Sequence, residues 1–146
     1  MDTFDTNAQG QQVENAGKTN TGFKLTGYDH WQNPPRKGKP ANGNYEGAST
    51  GECGDTIRIF LYIQDDKVLD AGYDTDGCRS SNISGSMAAE LAVGKLCDEL
   101  TDIDGETVLK SLGSMPTDEY HCAWLAANAL HEAVGDYYKK TTRQPK

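Results

Sequence analysis

Hydrophobic and polar positions alternate with a period of two from Thr56 to Gln64, where Ile57, Ile59, Leu61 and Ile63 take one side and Arg58, Phe60 and Tyr62 the other. β-Branched residues in that rhythm predict a strand with one strongly buried face. Asp65-Asp66 with Lys67 supplies turn chemistry, and Val68 to Thr75, with Leu69, Ala71 and Tyr73 on one face, predicts the returning strand of an antiparallel hairpin. A hairpin alone is marginal in water, so a third strand or a helical cover is required. The period then lengthens. Ser80 or Ser81 can cap a helix in which Ile83, Met87, Leu91 and Ala88 face the core, with Gly94 as its stop. Cys97, Leu100 and Ile103 predict a short helical turn, and Val108, Leu109 and Leu112 another, closed by Gly113. Beyond the break at Pro116, Thr117 or Asp118 caps a last helix carrying Cys122, Leu125, Ala126, Ala129, Leu130, Ala133, Val134 and Tyr137. Strands first and helices afterwards predict an α+β fold, not an alternating βαβ one.

The rest of the chain lacks such periodicity. Residues 1–26 are rich in Asn, Gln, Thr and Gly, which cannot bury enough surface to offset the entropy of ordering them, and read as a disordered arm. From Tyr28 to Gly51 the chain reads as irregular, with Asn33-Pro34-Pro35 excluding helix and Gly38 to Thr50 punctuated as loop. The ordered domain is placed at 27–140, and 141–146 forms a polar, basic tail. A length of 146 residues suits one domain, and 36% hydrophobic residues is lean enough to agree with an unstructured arm.

Charge narrows the partners. Lys and Arg number 14 against 22 Asp and Glu, a net of −8. Between Glu52 and Asp136 the balance is 5 basic to 17 acidic, or −12, leaving +4 on the flanks. So acidic a middle repels phosphate backbones, which argues against nucleic acid as a partner. No apolar run approaches the roughly 20 residues of a membrane span. The opening Met1-Asp2-Thr3-Phe4-Asp5 has neither the basic nor the apolar region of a signal, and predicts a cytoplasmic protein.

Four cysteines remain: Cys53, Cys78, Cys97 and Cys122. A reducing compartment favours metal ligation, catalysis or burial over disulfides. Cys53 sits in Gly51-Glu52-Cys53-Gly54-Asp55 before the first strand, Cys78 in Asp76-Gly77-Cys78-Arg79-Ser80 between strand and helix, and Cys122 in Tyr120-His121-Cys122 at the last helix's first turn. A helix start offers unpaired N–H groups and about half a positive charge, which lowers a nearby thiol pKa; Cys78 and Cys122 both qualify. Neighbouring glycines let backbone approach an ion closely. Cys53 and Asp55, two apart in extended chain, project to the same side. The candidate ligands are therefore Cys53, Asp55, Cys78, His121 and Cys122. No pair forms the CxxC knuckle usual in structural zinc sites. Periodicity alone leaves a metal or sulfur site and unrelated core cysteines equally open. Cys97 keeps step with Leu100 and reads as core, while His131 lies out of phase with His121 and reads as solvated helix face.

These motifs taken together resemble the IscU/NifU-type iron–sulfur cluster assembly scaffolds. The resemblance is carried by Cys53-Gly54-Asp55, Asp76-Gly77-Cys78, Gly94-Lys95 and His121-Cys122, with Asp29-His30-Trp31-Gln32-Asn33-Pro34 upstream, and it covers about Tyr28 to Lys140. It implies a small, three-stranded antiparallel sheet packed by helices, with the ligands at one exposed end. It implies that Cys53, Asp55, Cys78 and Cys122 hold a [2Fe-2S] cluster, with His121 as alternative ligand, iron as the incoming metal and zinc as an occupant of the cluster-free form. It further implies a cysteine desulfurase that hands persulfide sulfur to Cys122, recipient apo-proteins, and frataxin-like or ferredoxin partners. Asp55, a hard ligand among soft thiolates, is expected to keep one edge of the cluster labile. The family's Leu-Pro-Pro-Val-Lys segment, read by an Hsp70-type chaperone, is replaced by Met115-Pro116-Thr117-Asp118-Glu119, so the resemblance stops short of that contact. Arg79-Ser80-Ser81-Asn82 is more polar than the family leads one to expect. The runner-up function is a zinc-dependent, SufU-like sulfurtransferase using the same residues; a zinc hydrolase is weaker, lacking an obvious carboxylate base other than Glu52 or Asp55.

Overall fold

The computed structural model describes residues 34–52, 54–113 and 117–142. The arm at 1–26, the upstream signature as far as Asn33, Cys53, and the end of the tail lie outside the described residues. Three strands, β1 (Tyr45–Thr50), β2 (Thr56–Gln64) and β3 (Lys67–Thr75), form one antiparallel sheet in the order β1-β2-β3. Helices α1 (Arg79–Ala92), α2 (Gly105–Leu112) and α3 (His121–Thr142) follow, with 3₁₀ turns at Cys97–Asp102 and Thr117–Glu119. The architecture is α+β, as the sequence predicts. α3 packs against β1 and β2, and α1 against β3 and α3.

The β2–β3 turn forms where the aspartates stand: Asp65 and Asp66 have φ of 55° and 67°, the left-handed pair that a tight hairpin needs and that Asp tolerates better than most residues. Ile57, Ile59 and Leu61 are fully buried, as their alternation requires. The register breaks once. Tyr62 pairs with Asp70 but Ile63 pairs with Val68, leaving Leu69 as an extra residue. The expected face of Leu69, Ala71 and Tyr73 is thereby corrected: Val68 is buried, and Leu69 is 46% exposed.

Two features occupy the stretch read as irregular. β1 lies in what Gly38 to Thr50 presents as loop, pairing from Tyr45↔Leu61 to Thr50↔Thr56. Its sequence, Tyr-Glu-Gly-Ala-Ser-Thr, has no hydrophobic alternation because α3 lies directly on it. A Cβ at Gly47 would overlap the backbone of Glu132 and Ala133. Upstream, Arg36–Gly38 runs along the outer edge of β3. The Gly38 amide donates to Tyr73 O at 2.6 Å, and the Tyr73 amide to Arg36 O at 2.9 Å. That edge is thus paired, not exposed to other chains. The Arg36 side chain anchors the strap, reaching Glu90 at 2.7 Å and Asp70 at 3.0 Å.

The residue at the N-cap of α1 is Cys78, not Ser80 or Ser81; both serines fall within the helix and are buried. α1 is covered on almost every side, with Ser84, Gly85, Ser86, Ala88 and Ala89 buried beside Ile83 and Met87. Small residues let its neighbours come close. α2 begins at Asp104, whose carboxylate accepts from the Thr107 amide at 2.9 Å, and ends at Gly113 with φ of 90°. α3 continues to Thr142, two residues into the stretch read as a tail.

Candidate functional site

Three chain ends meet at one edge of the sheet. The loop into β2 is closed by Gly51 N–H donating to Asp55 O at 2.8 Å and Gly54 N–H donating to Gly51 O at 3.0 Å. The outgoing end of β3 is stitched to it. The Thr56 amide donates to the Asp76 carboxylate at 3.0 Å, the Thr75 hydroxyl to Thr56 O at 2.5 Å, and the Gly77 amide to Thr75 Oγ1 at 3.0 Å. These bonds set the Asp55 side chain against Gly77. A Cβ at Gly77 would stand 2.9 Å from the Asp55 carboxylate and 2.7 Å from Ser81 Oγ, so glycine is required for the close approach.

Cys78 opens α1 from an exposed position. Its carbonyl accepts from the Asn82 amide at 3.1 Å and from Asn82 Nδ2 at 3.0 Å. Asn82 is itself held, its Oδ1 accepting from Tyr73 Oη at 2.9 Å and from Lys37 Nζ at 3.4 Å. A polar chain therefore runs from the strap and the core tyrosine to the backbone of Cys78.

Cys122, in the first turn of α3, is 1% exposed. The helix start was expected to lower its pKa. Burial instead pushes the thiol up to about 11, the Ser81 hydroxyl opposes the rise, and Cys78 and Glu119 add to it. Desolvation is the largest influence on this thiol. His121 is exposed, with Nε2 3.7 Å from Cys122 Sγ. On its other side a cleft of about 550 Å³ is lined by Gly51, Glu52, His121, Trp124, Leu125 and Asn128.

Ser81 stands at the centre of this group. Its Oγ lies 3.4 Å from Asp55 Oδ2, 3.6 Å from Cys122 Sγ and 3.9 Å from Cys78 Sγ. From the preceding residue of the helix the Ser80 hydroxyl donates to the Glu119 carboxylate, tying α1 to the segment that leads into α3. Sequence reasoning assigned neither serine to the site. Their only signal was a run of polar residues where a helix starts, and a serine there ordinarily reads as a cap.

The structure thus brings Asp55, Cys78, His121 and Cys122 to one place, while Cys53 lies outside the described residues. Among the described residues no three His, Cys, Asp or Glu side chains already stand close enough together to hold a metal ion. Cys97 is elsewhere: fully buried, its thiol raised to about 12 by burial and then by Asp66, it sits by the hairpin turn at the opposite end of β2 from Asp55. His131 is also apart, yet it is not a merely solvated side chain, since Nε2 lies 2.8 Å from Ile103 O. Thiols, a carboxylate and an imidazole at a partly open edge form a donor set suited to iron or zinc.

A three-stranded antiparallel sheet backed by helices, with cysteines gathered where strand and helix ends converge, defines an α+β domain with a candidate metal-binding end. The chain belongs to the NifU-like N-terminal domain family, whose model matches residues 26–144. It is 36% identical over 114 residues, 77% of this chain and 74% of the relative, to the Archaeoglobus fulgidus protein named iron-sulfur cluster assembly scaffold protein IscU 1. It is 32% identical over 117 residues, 77% of this chain and 88% of the relative, to the scaffold protein IscU of Rickettsia prowazekii. Among solved structures, the N-terminal part of a NifU-like protein from Brucella abortus has a TM-score of 0.59 at 20% identity, covering 77% of this chain and 91% of that one. A putative scaffold for the SUF system from Fervidobacterium islandicum has a TM-score of 0.58 at 17% identity, covering 74% and 93%. Both structural likenesses concern the fold. No described helix is long and apolar enough to cross a membrane.

Proposed function

We propose that this chain is a scaffold on which a [2Fe-2S] cluster is assembled from iron and desulfurase-derived sulfur and then passed to apo-proteins. The observation that carries the reading is the convergence of Asp55, Cys78 and Cys122 around a single buried hydroxyl, with His121 beside them, in a member of a family whose relatives are named as scaffolds. Cys53, Cys78 and Cys122 supply thiolates to the cluster, which is cargo here. Asp55 supplies the fourth, harder and more exchangeable ligand, and His121 is its alternative. Zinc is the natural occupant of the same donors when no cluster is present.

Cys122 is the sulfur acceptor. Its thiolate attacks the outer sulfur of the desulfurase persulfide, the S–S bond breaks, and the desulfurase cysteine leaves as a thiolate. Reduction of the resulting persulfide to sulfide takes two electrons, which a ferredoxin-type partner would supply. Because Cys122 is 1% exposed, delivery requires its surroundings to open and admit the donor.

The test is anaerobic incubation with ferrous iron, cysteine and a desulfurase, followed by visible absorption and Mössbauer spectra. We expect a [2Fe-2S] signature that is lost in Cys53→Ser, Cys78→Ser and Cys122→Ser, retained in Cys97→Ser, and longer-lived with slower transfer in Asp55→Ala. Equal sensitivity at Cys97, or faster cluster loss in Asp55→Ala, would refute the assigned roles. Persulfide turnover by a zinc-loaded protein that never holds iron would replace this reading with a sulfurtransferase.

A further inference from the structure

The buried Ser81 hydroxyl has as many polar neighbours as its own atoms can serve, and no more. A hydroxyl offers one proton and two lone pairs. Asp55 Oδ2 at 3.4 Å can only accept, so it takes that proton, while Cys122 Sγ at 3.6 Å and Cys78 Sγ at 3.9 Å fall to the two lone pairs as S–H donors. This allotment satisfies all four groups without a metal. Once both sulfurs bind a metal as thiolates they have no hydrogen left to donate. One proton then faces three acceptors, two of them coordinated sulfurs. Ser81 is fully buried, so no bulk water competes for it.

We propose that Ser81 is a positioning residue whose hydroxyl gathers Asp55, Cys78 and Cys122 before metal arrives and turns its proton from Asp55 to a coordinated sulfur afterwards. The inference rests on the scaffold reading above, and adds to it a residue outside the ligand set. Loading then frees the carboxylate from its serine partner at the moment it is needed as a ligand. Ser84 supplies an internal control. It is equally buried, one turn further along α1, and its hydroxyl has no hydrogen-bond partner.

The experiment uses the full chain and cobalt(II) as a spectroscopic substitute for the metal, titrated against a chromophoric chelator. Thiolate-to-cobalt charge transfer and the d–d bands report which donors bind and in what geometry, and a thermal melt reports packing. Wild type should show thiolate–cobalt bands. Ser81→Ala should bind cobalt about 10- to 100-fold more weakly, the usual effect of losing an outer-shell partner. It should also show altered d–d bands, and the loss should shrink in an Asp55→Ala background. Ser84→Ala should match wild type. Unchanged affinity and bands in Ser81→Ala, an equal loss in Ser84→Ala, or full additivity with Asp55→Ala would each overturn the inference while leaving the scaffold reading intact. A wild-type protein without thiolate–cobalt bands would instead bring down both.

Discussion

At the level of single side chains, burial separates two cysteines that share one pocket. Cys78 is exposed, whereas Cys122 is 1% exposed with its thiol raised to about 11. At pH 8 the thiolate fraction of Cys122 is therefore on the order of one in a thousand. Metal-free protein treated with iodoacetamide at pH 8 should label at Cys78 well before Cys122, as followed by peptide mass spectrometry. Because the folded pKa is raised, labelling at Cys122 should climb about tenfold per pH unit towards 11 and then level off. Preferential labelling of Cys122 at pH 8 would contradict its burial. The ligand candidates were legible in the sequence because Cys, His and Asp at the ends of elements are chemically distinctive. Ser81 was not, since nothing in a serine's local sequence says whether its hydroxyl caps a helix or faces a thiol across the molecule.

At the scale of elements, the hairpin and helices could be read where the hydrophobic period was long and unbroken, as in β2 and α3. Two elements escaped for physical reasons. In β3 one extra residue shifts the phase, so strict alternation put Leu69 inside when Val68 is buried. In β1 the signal is missing altogether, because the face that meets α3 presents Gly47 where a side chain would ordinarily mark a strand. A Gly47→Val substitution should push α3 off the sheet, costing about 1–3 kcal/mol or more. A urea melt would show it as a lowered midpoint, whereas Leu69→Ala on the exposed bulge should change the midpoint little. A Gly47→Val midpoint equal to wild type would mean that α3 is not seated on β1 as described.

Across the whole molecule, the strap at Arg36–Gly38 links the start of the described chain to both β3 and α1. Glu90 is 3% exposed within α1 and takes the Arg36 guanidinium at 2.7 Å. Removing one partner of a buried pair costs more than removing both. Arg36→Ala should therefore destabilise the fold by on the order of 3 kcal/mol, and pairing it with Glu90→Gln should recover part of that loss in the same urea measurement. No recovery in the double variant would place the Arg36 side chain's contribution in its contacts with Asp70 and the Ala71 carbonyl and not in the Glu90 pair. The strap was invisible in the sequence because its pairing joins residues that are far apart along the chain, and Pro34-Pro35 signals only the absence of helix. The acidic excess from Glu52 to Asp136, by contrast, could be counted directly.

The enclosure of α1 has one more consequence. A rod wedged among neighbours by Ser, Gly and Ala on nearly all sides has no slack in which to roll or slide. Cys78 at its tip is thus a fixed post. Give during loading and unloading must come from the opposite bank, where Asp55 rides on a short loop and Glu119 on a single turn. The pocket works as a vice with one stationary jaw.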